Sequence, residues 1–394
     1  MDRVMLDALH SGIHNRQPVS GLTHDFYRYP ARFSPAFARA VINAFTAPGD
    51  VVLDPFMGGG TTLVEALASG RNAIGTDISS LARFIARAKL DTLSNLDLNA
   101  VQRWTHDLIP RLNLHRPAKR DTPWLPYQRN ISDRMTWPLR KLIEFTLAEI
   151  PRLSTERRKR FARMMLLKTS QWALDCRSVI PTADRFREEL LENLRALTLG
   201  THTLRTAVST ATLRANGVRP RTLILTCQAS ELANHARARA MRPPALVLTS
   251  PPYPGVHVMY HRWQVLGRKE TPAPFWIADS LDGNGLSHYT FGDRNRRDLA
   301  PYFRGIELGF RSVTHLATRD TVFVQMVAFS KPESQLHAYL DALSRAGLVE
   351  VTIPALTNAD DKRVWRRVPN RKWYADQRGS IAASNEVVLF HRRR

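Results

Sequence analysis

Residues 51–79 read VVLDPFMGGGTTLVEALASGRNAIGTDIS, and this stretch decides the fold. VVLDPF begins as a buried strand, GGG opens a turn, and LVEALASG carries helical periodicity until Gly70 stops it. NAIGTDIS is a second strand ending at Asp77, and SLARFIARAKL follows as a second helix. Strand, helix, strand, helix is the start of a doubly wound parallel sheet. The expected class is α/β, with a Rossmann-like sheet.

Outward from this unit the pattern changes twice. Upstream, PAFARAVINAF has helical spacing and is broken by Pro48-Gly49-Asp50. From 95 to 215 the chain is rich in Arg and Leu. Helical periods run through LRKLIEFTLAEI, RKRFARMMLLKTSQWAL and FREELLENLRALTL, so the segment reads as a helical insertion. Strands resume at RTLILT, a helix is expected near 231–241, and ALVLTSPPY is the next strand. Residues 254–300 read as a long polar and aromatic loop region with one helix around HRWQVLG. TVFVQMVAF is a strand, SQLHAYLDALSRAG a helix closed by Gly347, and LVEVTI and EVVLFH are closing strands. The expected division is therefore 1–94 and 216–394 as two parts of one domain, with 95–215 inserted between them.

Composition narrows the class of partner. In 394 residues, 57 Lys and Arg face 35 Asp and Glu, a formal charge of +22. That excess suits a polyanion better than a small neutral metabolite. No stretch approaches the roughly 20 apolar residues of a membrane span, and the N-terminus lacks a long apolar signal region. Cys176 and Cys227 are far apart and lack metal-ligand spacing, so no metal and no disulfide framework is expected. A soluble, cytoplasmic chain without a membrane partner is the expectation.

Two features carry cofactor chemistry. Gly58, Gly59 and Gly60 let backbone approach a ligand at a helix N-terminus, where a carboxylate or phosphate is favoured. The turn is neither a P-loop nor a GxGxxG fingerprint. Asp77 ends the next strand, where an acid accepts hydrogen bonds from ribose hydroxyls; alone, it would serve equally as a helix N-cap. Likewise TSPPY alone reads as a rigid turn at a strand end.

Together, DPFMGGGTT and the later TSPPY resemble the paired motifs of amino-group DNA methyltransferases, which methylate the exocyclic nitrogen of cytosine or adenine from S-adenosylmethionine. FYRYPARFSPAFARAVI, Phe26 to Ile42, looks like the N-terminal cofactor segment of that family. The resemblance covers the first 90 residues and roughly 220–394, leaving the helical insertion outside it. It implies that Asp54, Phe56, Gly58, Gly60 and Thr61 surround the methionine part of the cofactor and that Asp77 meets its ribose. Tyr29, Pro30 and Phe33 would close over it, and Ser250, Pro251, Pro252 and Tyr253 would form the catalytic element. Two departures stand out. Gly59 occupies a position where the family usually has Ser, which a glycine turn should tolerate. Where the family often has an Asp near the adenine, this chain offers Cys227, Gln228 and Ser230; Gln228 is the candidate for the adenine amine.

The residues suit that chemistry. The lone pair of an exocyclic amine is delocalised into its ring, so catalysis must localise it. A Ser250 hydroxyl and the Pro251 carbonyl can accept the two N–H bonds, the prolines stiffen the array, and Tyr253 offers a ring for stacking. The base must leave the duplex to reach them. By resemblance, Ser before PPY favours cytosine N4; a Ser can both donate and accept, so it also remains compatible with adenine N6.

Double-stranded DNA is the expected partner, with a restriction endonuclease or defence component a compatible further one. Lys362 to Arg378 packs seven basic residues around Trp365, Trp373 and Tyr374, and Arg366, Arg367, Arg371, Lys372 and Trp373 are the expected DNA contacts. RRKR at 157–160 and FGDRNRR at 291–297 are further basic runs, and target recognition falls to 95–215 or 262–300. An RNA base, a protein glutamine amide, or a catalytically silent DNA-binding module are the rival readings.

Overall fold

The structure is a computed structural model and describes residues 2–29, 34–115, 122–254, 262–267, 269–280, 282, 298–367 and 385–394. Its first helix, α1 (Arg3–Ile13), is capped by Asp2, whose carboxylate accepts from the Met5 amide at 2.8 Å. Helix α2 (Pro35–Phe45) leads to strand β1 (Val51–Asp54), helix α3 (Thr61–Ala68), strand β2 (Asn72–Thr76) and helix α4 (Ser80–Leu90). The expected alternation is therefore present. β1 is buried on both sides, as a strand in a parallel sheet must be.

Between Asn95 and Arg214 the regular elements are helical: α5 (Asn95–Leu108), α6 (Trp137–Glu149), α7 (Glu156–Leu174) and the 32-residue α8 (Ala183–Arg214), joined by 3-10 turns. These helices share an apolar core with Phe84 and Ile85 of α4. The far end of α8 instead packs Leu204 and Val208 under the sheet beside α2 and α3. This helical segment is thereby packed against α4 near its start and against α2 and α3 at its end.

Strands β3 (Thr222–Leu225) and β4 (Leu246–Thr249) follow, separated by a 3-10 turn at Ala229–Asn234 and the single-turn helix α9 (Ala236–Arg239). The helix expected at 231–241 is thus shorter, because the chain first turns tightly between Gln228 and Glu231. Among the described residues of HRWQVLG the expected helix is not formed. Trp263–Val265 is strand β5, paired antiparallel with β6 (Lys269–Thr271). Leu266 and Gly267 both have positive φ there, and Trp263 and Val265 point inward at a strand period of two.

The remaining elements are α10 (Ala273–Ala278), α11 (Ala300–Leu316), β7 (Val322–Ala328), α12 (Pro332–Arg345), β8 (Leu348–Val351), β9 (Val364–Arg367) and β10 (Asn385–Arg393). Helix α11 has no counterpart in the sequence reading; its two glycines, Gly305 and Gly309, weaken the local helical signal.

The main sheet has the order β3-β2-β1-β4-β7-β10-β8, with β9 on β10. The first five strands are parallel, while β10 is antiparallel to β7, β8 and β9. This is the expected Rossmann-like doubly wound sheet. Chain order reverses between β1 and β4, so the crevice for a ligand lies at their carboxyl ends, where the glycine turn and SPPY emerge. Among the described residues no helix is long and apolar enough to cross a membrane.

Candidate active site

The glycine turn is built by backbone that most residues avoid. Gly58 and Gly60 have φ of +46° and +76°, and Gly60 caps α3. The Gly58 amide donates to Asp77 Oδ2 at 3.0 Å, and the Ser79 amide donates to Asp77 Oδ1 at 2.8 Å. One carboxylate thus joins the turn after β1 to the loop after β2. Burial pushes the Asp77 carboxyl up to about 6, the amide bonds oppose that shift, and the nearby Asp282 charge reinforces it. Asp282 also accepts from the Ser80 amide at 3.4 Å, so the loop after α10 meets the start of α4 here.

A lysine the sequence reading did not select completes the turn. Lys89 is fully buried on α4 and donates to the Gly59 carbonyl at 2.9 Å. On the other side lies Tyr29, only 6% exposed. A Cβ on Gly59 would sit 2.8 Å from the Tyr29 Cβ, closer than real Cβ atoms approach. Glycine where the family usually has Ser therefore fits the local packing, because Tyr29 occupies the space a side chain would need. Pro30 and Phe33 lie outside the described residues.

Asp54 is buried at 2% exposure and does structural work between two strands. Its Oδ1 accepts from the Phe56 amide at 3.1 Å and from the Thr249 hydroxyl at 2.7 Å. Burial pushes this carboxyl up to about 6 against those hydrogen bonds. Thr249 immediately precedes Ser250, so Asp54 fixes the end of β4 against the glycine turn. Thr61 is buried in the first turn of α3, and half-buried Phe56 packs at a tilt on Phe310 of α11.

Gln228 is exposed and opens the 3-10 turn: its backbone carbonyl accepts from the Glu231 amide at 3.0 Å, and its own amide donates to Glu231 Oε2 at 3.1 Å. Cys227 is held by Thr76, whose hydroxyl donates to the Cys227 carbonyl at 2.8 Å.

Ser250, Pro251, Pro252 and Tyr253 follow β4 directly. Tyr253 donates its hydroxyl to Glu386 Oε1 at 2.8 Å, and the Ser250 hydroxyl lies 3.3 Å from the Tyr253 oxygen. A carboxylate can only accept, so the Tyr253 proton points to Glu386 and Ser250 must donate to Tyr253. The lone pairs of Ser250 are then left to accept. Pro252 is held separately, because its carbonyl accepts from Tyr302 of α11 at 2.8 Å. Burial raises the Tyr302 hydroxyl well above its ordinary value, so it stays a donor.

Glu386 is 3% exposed at the start of β10, directly opposite Arg366 of β9. The Arg366 Nε lies 3.2 Å from Glu386 Oε2, and its guanidinium donates to the Ile13 carbonyl at 3.0 Å. The expected DNA contact at Arg366 is therefore corrected. Alternation along β9 turns Arg366 inward and leaves the neighbouring Arg367 exposed. Arg371, Lys372, Trp373 and the run 291–297 lie outside the described residues.

The sheet and this crevice define a Rossmann-like fold with a ligand crevice at the β1–β4 switch point. Residues 9–86 match the model of a family described as DNA methylase, of N6-adenine and N4-cytosine type. Over that segment, which carries the cofactor motifs, the chain is similar to the amino-group DNA methylase family. It is 40% identical over 67 residues to the type II methyltransferase M.MjaII of Methanocaldococcus jannaschii, covering 17% of this chain and 13% of the relative. It is 34% identical over 99 residues to M.MvaI of Kocuria varians, 22% of either chain. With the DNA adenine methyltransferase YhdJ of Escherichia coli it shares 37% over 92 residues, 21% of this chain and 31% of that one. The matches thus span less than a third of each relative. Among solved structures, an rRNA methyltransferase, aviRa of Streptomyces viridochromogenes, aligns over 99% of this chain and 93% of its own at 11% identity and a TM-score of 0.36.

Proposed function

We propose that this chain is an S-adenosylmethionine-dependent DNA methyltransferase acting on an exocyclic base amine, with cytosine N4 as the target. The observation that carries the reading is the polarised series Ser250, Tyr253, Glu386, placed beside the glycine turn by the Asp54–Thr249 bond.

The crevice suits the cofactor: a carboxylate closes β2, and the turn beside it has no side chain of its own between Tyr29 and Lys89. Asp77 would accept from the ribose, while Gly58, Gly60 and the first turn of α3 would lie along the methionine part, with Tyr29 and Phe56 flanking it. When bound, S-adenosylmethionine supplies an electrophilic methyl group. Ser250 and the Pro251 carbonyl accept the two N–H bonds of the target amine and draw its lone pair out of conjugation. The Pro252 carbonyl is already taken by Tyr302, which leaves Pro251 as the second acceptor. Tyr253, fixed at its hydroxyl by Glu386, presents its ring to the extruded base.

Ser at position 250 favours cytosine, whereas the likeness to an adenine methyltransferase favours the rival N6 target. Nucleoside analysis of DNA from a host expressing the chain separates them. N4-methylcytosine is expected. N6-methyladenine alone would overturn the base assignment, and the absence of both would overturn the activity.

A further inference from the structure

Outside the crevice, two adjoining cavities of about 340 Å³ each open along α4. The first lies between α4, the start of α7 and the edge strand β3, and is lined by Arg87, Arg157, Arg160, Arg219 and Arg237. The second continues between α4 and α7 to the end of α10, lined by Arg83, Arg87, Lys159, Arg160 and Arg163. Arg87 and Arg160 belong to both walls, so the two form one channel. It starts at Asp279 and Ser280, a few residues before the Asp282 that neighbours Asp77, and runs along α4 away from the reaction crevice.

The charge balance of this channel is lopsided. Its walls hold eight basic residues and three acids, Asp91, Glu156 and Asp279. Each acid is already matched: Asp91 with Arg160 at 2.7 Å, Glu156 with Lys159 at 2.8 Å, Asp279 with Arg163 at 3.1 Å. Eight less three leaves five: Arg83, Arg87, Arg157, Arg219 and Arg237, none of them ion-paired among the described residues. The fold gathers these five from distant stretches of chain. At Arg87 the crowding is felt directly, since burial and then the charges of Arg83 and Arg160 lower its proton affinity, with Arg237 adding to the effect.

A solvated basic face would let such groups diverge, whereas here they line a concave track. One small anion would answer only part of it. A chain of phosphates answers all of it, because each group meets a separate cation while the backbone follows the groove. We infer that the α4–α7 channel binds the phosphodiester backbone of duplex DNA flanking the target base. This rests on the proposed DNA substrate and extends it to a surface built by the helical insertion. RRKR at 157–160 supplies one wall, with Arg158 turned instead to Asp97 at 2.7 Å.

The test is fluorescence anisotropy of a labelled duplex of about 40 base pairs across a salt series, a length that spans site and flank. The triple variant Arg87→Gln, Arg157→Gln, Arg237→Gln is expected to bind tenfold or more weakly near physiological salt, with the log–log salt slope lowered by about 2 to 3. Binding of S-adenosylmethionine, followed by calorimetry, should be unchanged, and the triple variant Arg87→Lys, Arg157→Lys, Arg237→Lys should bind DNA close to wild type. If the Gln triple variant lost cofactor binding, the exposed single changes Arg157→Gln and Arg237→Gln would replace it, each lowering the slope by about 1. Wild-type affinity and slope in these variants would overturn the channel. So would competition by inorganic pyrophosphate at the variant-sensitive site without any effect of duplex length. Wild-type protein that binds no DNA at all would instead overturn the proposed function.

Discussion

Tyr253 donates its hydroxyl to Glu386 across 2.8 Å, joining the SPPY motif to a carboxylate 133 residues further along the chain. That bond fixes the direction of the next one, from Ser250 to Tyr253, and so turns the Ser250 lone pairs outward. Tyr253→Phe keeps the ring and cuts the series. Turnover is expected to fall by about tenfold to a hundredfold, in line with the loss of an orienting hydrogen bond at a reacting group. Affinity for S-adenosylmethionine should stay within about twofold, because Asp77 and the glycine turn are untouched. Single-turnover methyl transfer and calorimetry separate the two quantities.

Arg366 is the buried ion-pair partner of Glu386, and removing it takes the opposite charge away from a buried carboxylate. Arg366→Ala should lower unfolding stability by about 3 to 5 kcal/mol, read from urea denaturation. Its effect on the salt slope of DNA binding should be negligible, which distinguishes the inward arginine from a phosphate contact. A lowered slope with unchanged stability would return Arg366 to the DNA surface.

Gly59 faces Tyr29 so closely that a methyl group is too much. Gly59→Ala should cost about 1 to 3 kcal/mol of stability as Tyr29 is displaced, and should weaken cofactor binding. Pairing it with Tyr29→Ala should recover part of the loss. An alanine variant as stable as wild type would show that Tyr29 does not press on the turn.

Cofactor binding should depend on pH through Asp77. Its carboxyl is pushed up to about 6, mainly by burial, and only the ionised form offers both oxygens to hydroxyl donors. Affinity should be level above about pH 7 and fall as pH drops through about 6, a dependence that Asp77→Asn abolishes. Stability responds with the opposite sign. The folded chain holds protons at Asp54 and Asp77 more tightly than the unfolded chain does, so their contribution to stability is greatest below the ordinary carboxylate range. It is lost as pH rises through about 6. Calorimetric titrations and thermal melts between about pH 5 and 8 read the two trends.

Much of the site was legible because it is local. The glycine turn, Asp77 and SPPY each sit at the carboxyl end of one strand, and strand ends are marked by turn residues that the sequence displays. Glu386 had no such mark: EVVLFH reads only as a strand, and its meeting with Tyr253 depends on β10 entering the sheet antiparallel beside β7. Tyr302 is similar, being placed by a helix whose glycines hide it. Arg366 misled because a basic run looks uniform in sequence, whereas β9 sends alternate residues to opposite sides. HRWQVLG misled for a related reason: three strand residues before a tight turn are too few to reveal their period.

The central claim is methyl transfer to a DNA base amine held by Ser250. Its most direct measurement is transfer of labelled methyl from S-adenosylmethionine to duplex DNA by the wild-type chain and by Ser250→Ala, with cofactor binding measured on both. The account predicts label in an exocyclic N-methylated base for the wild type. For Ser250→Ala it predicts intact cofactor binding with a rate lower by about a hundredfold or more. Wild-type protein that binds the cofactor yet leaves DNA unlabelled, or a Ser250→Ala variant at full rate, would contradict it.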